Sequence, residues 1–199
     1  AFMVIKRLPK ELRVNVEAID EIHYNPHSKH FLKYGVTDSS GAYYNKFLSS
    51  ASLTMIFVRR DALYSSPFFL VRTLVHEGTH ALQDQKAKLN LVKIGELKRD
   101  LIKLERSQKE STRRYASLKS EIDKKLNYAI RWFRGIETKS GTRVQDIEFE
   151  CEATINEIKA LRALGASPRA MSDSGYVRVC PLAEGLINSW KSEKGGKRK

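Results

Sequence analysis

Two histidines four residues apart, His76 and His80, enclose a glutamate in the run Leu74-Val75-His76-Glu77-Gly78-Thr79-His80-Ala81-Leu82. On a helix, positions i and i+4 lie one above the other on the same face. The spacing therefore brings two imidazoles to one place, where a single tetrahedral Zn²⁺ accepts both. Glu77 lies beside them and is placed to take a proton from a metal-bound water. Phe68, Phe69, Leu70, Val71, Leu74, Val75, Ala81 and Leu82 surround the motif, so the helix that carries it is expected to be buried. Ser66 suits the N-cap and Pro67 the first helical position, and the expected helix covers 67–88. Buried histidines need partners, because an unpaired polar group away from water is costly.

Catalytic zinc sites use three protein ligands and leave one position for water. No third histidine follows at close spacing. His23, His27 and His30 lie upstream in a turn-rich stretch, where surface roles are commoner than metal binding. A richer source of ligands is Asp146-Ile147-Glu148-Phe149-Glu150-Cys151-Glu152-Ala153-Thr154-Ile155-Asn156-Glu157. Its apolar stripe runs through Val144, Ile147, Cys151, Ile155 and Ile158, with Glu150 and Glu152 on either side and Glu148 nearer the centre. Helical geometry alone does not choose among the three acids.

In these residues the chain resembles the gluzincins, the thermolysin-like branch of zinc peptidases. There H-E-x-x-H is followed, on a later helix, by a glutamate ligand in an E-x-x-A or E-x-E-A-like context, and Glu150-Cys151-Glu152-Ala153 has that form. The resemblance implies Glu150 as third ligand, with Glu152 and Glu148 as the alternatives. It implies a zinc metalloprotease, a hydrolase whose Zn²⁺ activates water for Glu77 to deprotonate, and an oxyanion donor for which Tyr176 is the nearest match. Many gluzincins carry an acid four residues after the ligand glutamate to steady a histidine; here that position is Thr154. The implied fold is α+β and zincin-like: a small mixed sheet packed on the motif helix and the glutamate helix.

The rest of the chain fits one such domain over 1–190 with an excursion. Residues 1–65 read as mostly extended, with a strand at Leu12-Arg13-Val14-Asn15-Val16 and another at Leu53-Thr54-Met55-Ile56-Phe57-Val58. The second strand precedes the motif helix and offers an edge to which an extended peptide substrate can add. Ile94, Leu97, Leu101, Leu104, Tyr115, Leu118, Ile122 and Ala129 follow a three-four spacing. Polar residues interrupt that stripe, so an inserted helical hairpin over 91–134 is expected, with arms at 91–106 and 112–134; a single long coiled-coil helix is the alternative. A loop around 138–142, the glutamate helix at 143–164 stopped by Gly165, a short extended piece at 176–179 and a last helix at 181–191 complete the reading.

Charge is concentrated. The net +13 of the chain includes +7 in 91–134 (13 Lys/Arg against 6 Asp/Glu) and +4 in 191–199 (5 against 1), the latter read as a disordered basic tail. This motivates a second reading, in which a zincin scaffold carries a basic arm that docks on an anionic polymer, lipid surface or nucleic acid. No apolar run reaches the ~20 residues needed to cross a bilayer. Cys151 and Cys180 lack zinc-site spacing; they can pair in an oxidising compartment, but Cys151 reads chiefly as a small buried hydrophobe on its helical stripe. The basic charge and the absence of an initiator Met favour an exported, periplasmic or extracellular location over a cytoplasmic one. Oligomeric state is not readable from the chain.

Overall fold

A computed structural model describes residues 2–24, 42–44, 55–58, 66–107, 109, 112–134, 136–137, 143–144, 147–171 and 180–195. In chain order the elements are α1 (Phe2–Ile5), α2 (Lys10–Glu17), β1 (Glu21–Tyr24), β2 (Ala42–Tyr44), β3 (Met55–Val58), α3 (Pro67–Arg106), α4 (Arg113–Arg134), β4 (Ile136–Glu137), β5 (Arg143–Val144), α5 (Ile147–Ala163), a 3₁₀ turn (Pro168–Met171) and α6 (Pro181–Gly195). The described chain is predominantly helical with little sheet, an α+β composition. It divides into two compact units, residues 1–82 with 147–199, and residues 83–146.

In the first unit three strands form a mixed sheet in the order β1-β3-β2, with β1 parallel and β2 antiparallel to β3. Ile56 and Val58 of β3 are buried against Leu74 of the motif helix. Farther around that helix, Val71 and Val75 pack with Leu8, Leu12, Ala160 and Leu164. The motif helix is thus held on one side by the sheet and on another by α2 and α5. Burying a side chain such as Leu12 or Val75 stabilises by roughly 1.5–3 kcal/mol, so these contacts fix the helix that bears the histidines.

A third cluster joins α5 to α6 through Ile158, Leu161, Met171, Ala183, Ile187 and Trp190. Cys151 is bonded to Cys180, with Cα atoms 5.3 Å apart. Cys151 is therefore a cross-link on a half-buried face rather than the buried hydrophobe its stripe suggested. Gly165 ends α5 with φ +78°, and the Ala166 amide returns to the Leu161 carbonyl at 3.0 Å, a left-handed helix stop that favours glycine.

Several local expectations change. The alternation at Leu12-Val14-Val16 belongs to helix α2, not to a strand. Leu12 and Val16 are four apart and share a helical face, Leu12 is buried, and Val14 is left exposed. The motif helix does not stop at residue 88 but continues to Arg106. Its sequence there is rich in Leu, Lys, Glu and Arg and has no proline, so nothing breaks it. Two short paired strands, β4 and β5, flank the stretch expected as a loop. Helix α6 runs on to Gly195, past the residue at which a tail was expected.

In the second unit, residues 83–106 of α3 and helix α4 form an antiparallel hairpin. Ile94, Leu97 and Ile122 are buried together with Leu101, Leu118 and Leu126 around them. Tyr115 Oη donates to Glu105 near the turn at 3.0 Å, and Trp132 Nε1 donates to buried Asp84 at the other end at 2.7 Å. Lys88 Nζ lies 2.5 Å from the second Asp84 oxygen, so the buried carboxylate is paired.

Candidate metal centre

Ser66 caps the motif helix as its sequence requires: its Oγ accepts the Phe69 amide at 3.2 Å. One turn and more into that helix, His76 and His80 lie with ring centroids 4.9 Å apart, edge to face. Helix α5 brings Glu150 to them. Glu150 Oε2 is 3.5 Å from His76 Nε2, and Glu150 Oε1 is 3.4 Å from His80 Nε2. One ligand atom from each of His76, His80 and Glu150 lies within 4.8 Å of the others, an arrangement that can hold a metal ion.

The residues fit a cation on two counts. A tetrahedral ion with bonds of about 2.0–2.1 Å has ligand atoms about 3.3–3.4 Å apart, and each Glu150 oxygen lies near that distance from one of the two histidine nitrogens. Glu150 Oε2 is also a buried oxygen with no hydrogen-bond partner among the described residues. A buried carboxylate oxygen left in that state is costly unless a cation or proton meets it.

The electrostatics agree. Burial by itself lowers the His76 pKa, but the Glu150 and Glu157 carboxylates and the charge of Glu77 outweigh it and raise the value well above 6.5. Burial pushes Glu150 upward, and the His76 and His80 rings more than reverse this, holding the carboxyl far below the ordinary range. With no cation bound, a proton on His76 stands in for it.

Glu157 completes the support. Its Oε2 lies 3.3 Å from His76 Nδ1, and its Oε1 lies 2.8 Å from Arg72 Nε. Nδ1 donates to this carboxylate, which leaves Nε2 directed at Glu150. The supporting acid is not at position 154, where the resemblance places it, but at Glu157, one turn farther along α5. The signal was its spacing of seven from Glu150, two helical turns on the same face. Glu157 is buried, whereas Glu148 and Glu152 are exposed and belong to no metal-capable group of the described residues. Glu77 is buried on the motif helix between the two histidines.

The two middle residues of the motif are occupied by packing. A side chain at Gly78 would collide with the backbone carbonyl of Asn15 on α2. Thr79 Oγ1 donates to the Val75 carbonyl at 2.7 Å and accepts from Asn15 Nδ2 at 2.9 Å and Asn156 Nδ2 at 3.3 Å. One hydroxyl therefore joins α2, the motif helix and α5 and uses its full capacity of one donor and two acceptors.

Of the other sequence candidates, Tyr176 lies outside the described residues, as do His27 and His30. His23 is on β1, hydrogen-bonded to Glu21 at 2.7 Å and stacked on Phe57, and belongs to no metal-capable group of the described residues. No family model, no curated protein and no solved structure matches the chain.

Proposed function

We propose that this chain is a zinc metallopeptidase of the gluzincin type. The observation that carries the reading is the convergence of His76 Nε2, His80 Nε2 and the Glu150 carboxylate beside a buried Glu77. His76, His80 and Glu150 would hold Zn²⁺. Bound there, the ion supplies Lewis acidity, lowering the pKa of coordinated water toward neutrality and polarising the scissile carbonyl.

The chain's own groups do the rest. Glu77 takes a proton from the attacking water and delivers it to the departing amine nitrogen. Its burial keeps it within the dry interior beside the two histidines. Glu157 holds the His76 ring through Nδ1 and keeps Nε2 turned toward the site. Arg72 holds Glu157 in place through its other oxygen. Tyr176 is proposed as the donor to the oxyanion, by the family resemblance. The strand expected to offer an edge to a peptide, β3, is the middle strand of the described sheet, so strand addition would have to use β1 or β2. An exported location is proposed with this activity, supported by the Cys151–Cys180 bond, since disulfides persist in oxidising compartments.

The test is metal analysis of the purified protein together with digestion of a peptide library, with and without chelator. Stoichiometric zinc and chelator-sensitive cleavage are expected. A zinc-loaded protein that cleaves no peptide bond would overturn the peptidase reading.

A further inference from the structure

The hairpin is the part of the chain that the metal centre does not use. It buries Ile94, Leu97 and Ile122 internally, yet leaves Leu89 67% and Val92 65% exposed on the same helix. These two are three apart and share a face, while Leu91, also exposed, projects from another side of the helix. Lone exposed leucines are ordinary, but a same-face aliphatic pair, each side chain about two-thirds exposed, on a packed helix is a contact surface in waiting. The hairpin as a whole is strongly positive: residues 83–134 hold 15 Lys/Arg against 7 Asp/Glu, a net +8. Lys98, Arg99, Arg113, Arg114, Lys124 and Arg134 are all exposed.

An occupant must answer both features. Nucleic acid answers the charge, but its phosphates offer nothing to Leu89 and Val92. A second copy of the chain answers the aliphatic side chains but brings another +8 against the first. An anionic lipid surface meets both, with acyl chains for the aliphatic pair and headgroups for the cations. No helix of the described residues is long and apolar enough to cross a membrane, so the contact would be peripheral. From this complementarity we infer that the hairpin is a docking element for anionic membrane surfaces. The inference does not depend on peptidase activity.

The test is co-sedimentation of the full chain with vesicles of phosphatidylglycerol and phosphatidylcholine in equal parts, and with phosphatidylcholine alone. Binding to the anionic vesicles only is expected, weakening as salt shortens the Debye length from about 10 Å toward 3 Å. The double variant L89S/V92S should bind about tenfold more weakly, with unchanged circular dichroism and melting, because both side chains are already in water. K98E/R99E should weaken binding as well. Three results would overturn the inference: no binding to anionic vesicles at low salt; equal binding by L89S/V92S and the parent, as a purely electrostatic polyanion binder would show on vesicles and duplex DNA alike; or a dimer of the parent that L89S/V92S dissolves.

Discussion

Glu157 and His76 are joined by a 3.3 Å hydrogen bond from Nδ1, although 81 residues separate them in the chain. The acid reaches the histidine from two turns beyond Glu150, and the intervening Thr154 has a fully buried hydroxyl with no partner among the described residues. Glu157→Gln should therefore lower metal affinity about 10–100-fold, the usual effect of losing a carboxylate behind a ligand histidine. Thr154→Val should leave affinity within a few-fold of the parent. Competition with a chromophoric chelator measures both. Equal losses in the two variants would remove the distinction between the positions.

Glu77 is buried beside the three proposed ligands and is not one of them. Glu77→Gln should retain one metal per chain while kcat falls by about 10²–10⁴, the range contributed by a positioned general base. Metal content by plasma emission and turnover on the best library peptide check this together. A variant that cleaved like the parent would assign the base elsewhere.

Metal binding must displace a proton from His76, whose pKa is held above 6.5 by Glu150, Glu157 and Glu77 against the opposing effect of burial. Metal affinity should rise with pH, and binding at neutral pH should release protons, both readable by calorimetry in buffers of different ionisation enthalpy. The chelated protein should behave oppositely. A raised histidine contributes stability that is fully present below 6.5 and is lost as pH climbs through the raised value. The lowered Glu150 contributes above 4.5 and is lost as pH falls through its own value. The contribution of the pair is thus greatest between about 4.5 and 6.5. Melting temperatures of the chelated protein against those of Glu150→Gln across this range test the sign.

Gly78 has no room for a methyl group, because the Asn15 carbonyl fills the position. Gly78→Ala should destabilise by about 3 kcal/mol, at the upper end for overpacked sites, since the obstacle is backbone and must move as a whole. Urea titration gives the value, and a loss under about 0.5 kcal/mol would mean that α2 shifts freely.

Thr79→Val keeps the shape but strands the buried Asn15 amide, which donates to the hydroxyl at 2.9 Å. A cost of about 1–3 kcal/mol is expected. Thr79→Ser should recover most of it, because the hydroxyl is restored. Comparison of the two in denaturant separates the hydrogen bond from methyl packing.

What was legible in the sequence was local. The histidine spacing, the Ser66 cap and the Gly165 stop depend on a few neighbouring residues, and each forms as read. Glu150 was one of three acids until the packing of α5 fixed its rotation. Ile158, Leu161 and Ala160 turn into the core and carry Glu150 and Glu157 to the motif helix, leaving Glu152 outside. Glu157 was passed over because its partners, Arg72 and His76, come from another helix. The strand expected at Leu12 failed for a related reason. Five alternating residues satisfy two periodicities, and the contacts of Leu12 with Val71 and Val75 decide for the helix. The pairing of Cys151 with Cys180 depends on where α6 begins, and helix stripes carry no record of that.

The Cys151–Cys180 bond has a consequence for how the centre is assembled. Glu150 is the immediate neighbour of a covalent anchor, and the anchor's other end is the residue just before α6. Apolar packing of Ile158, Ala160 and Leu164 seats α5, and the bond adds a covalent tie at the end that bears the carboxylate. Reduction would therefore loosen first the turn of α5 that carries Glu150, while the rest of that helix stays held by its apolar face.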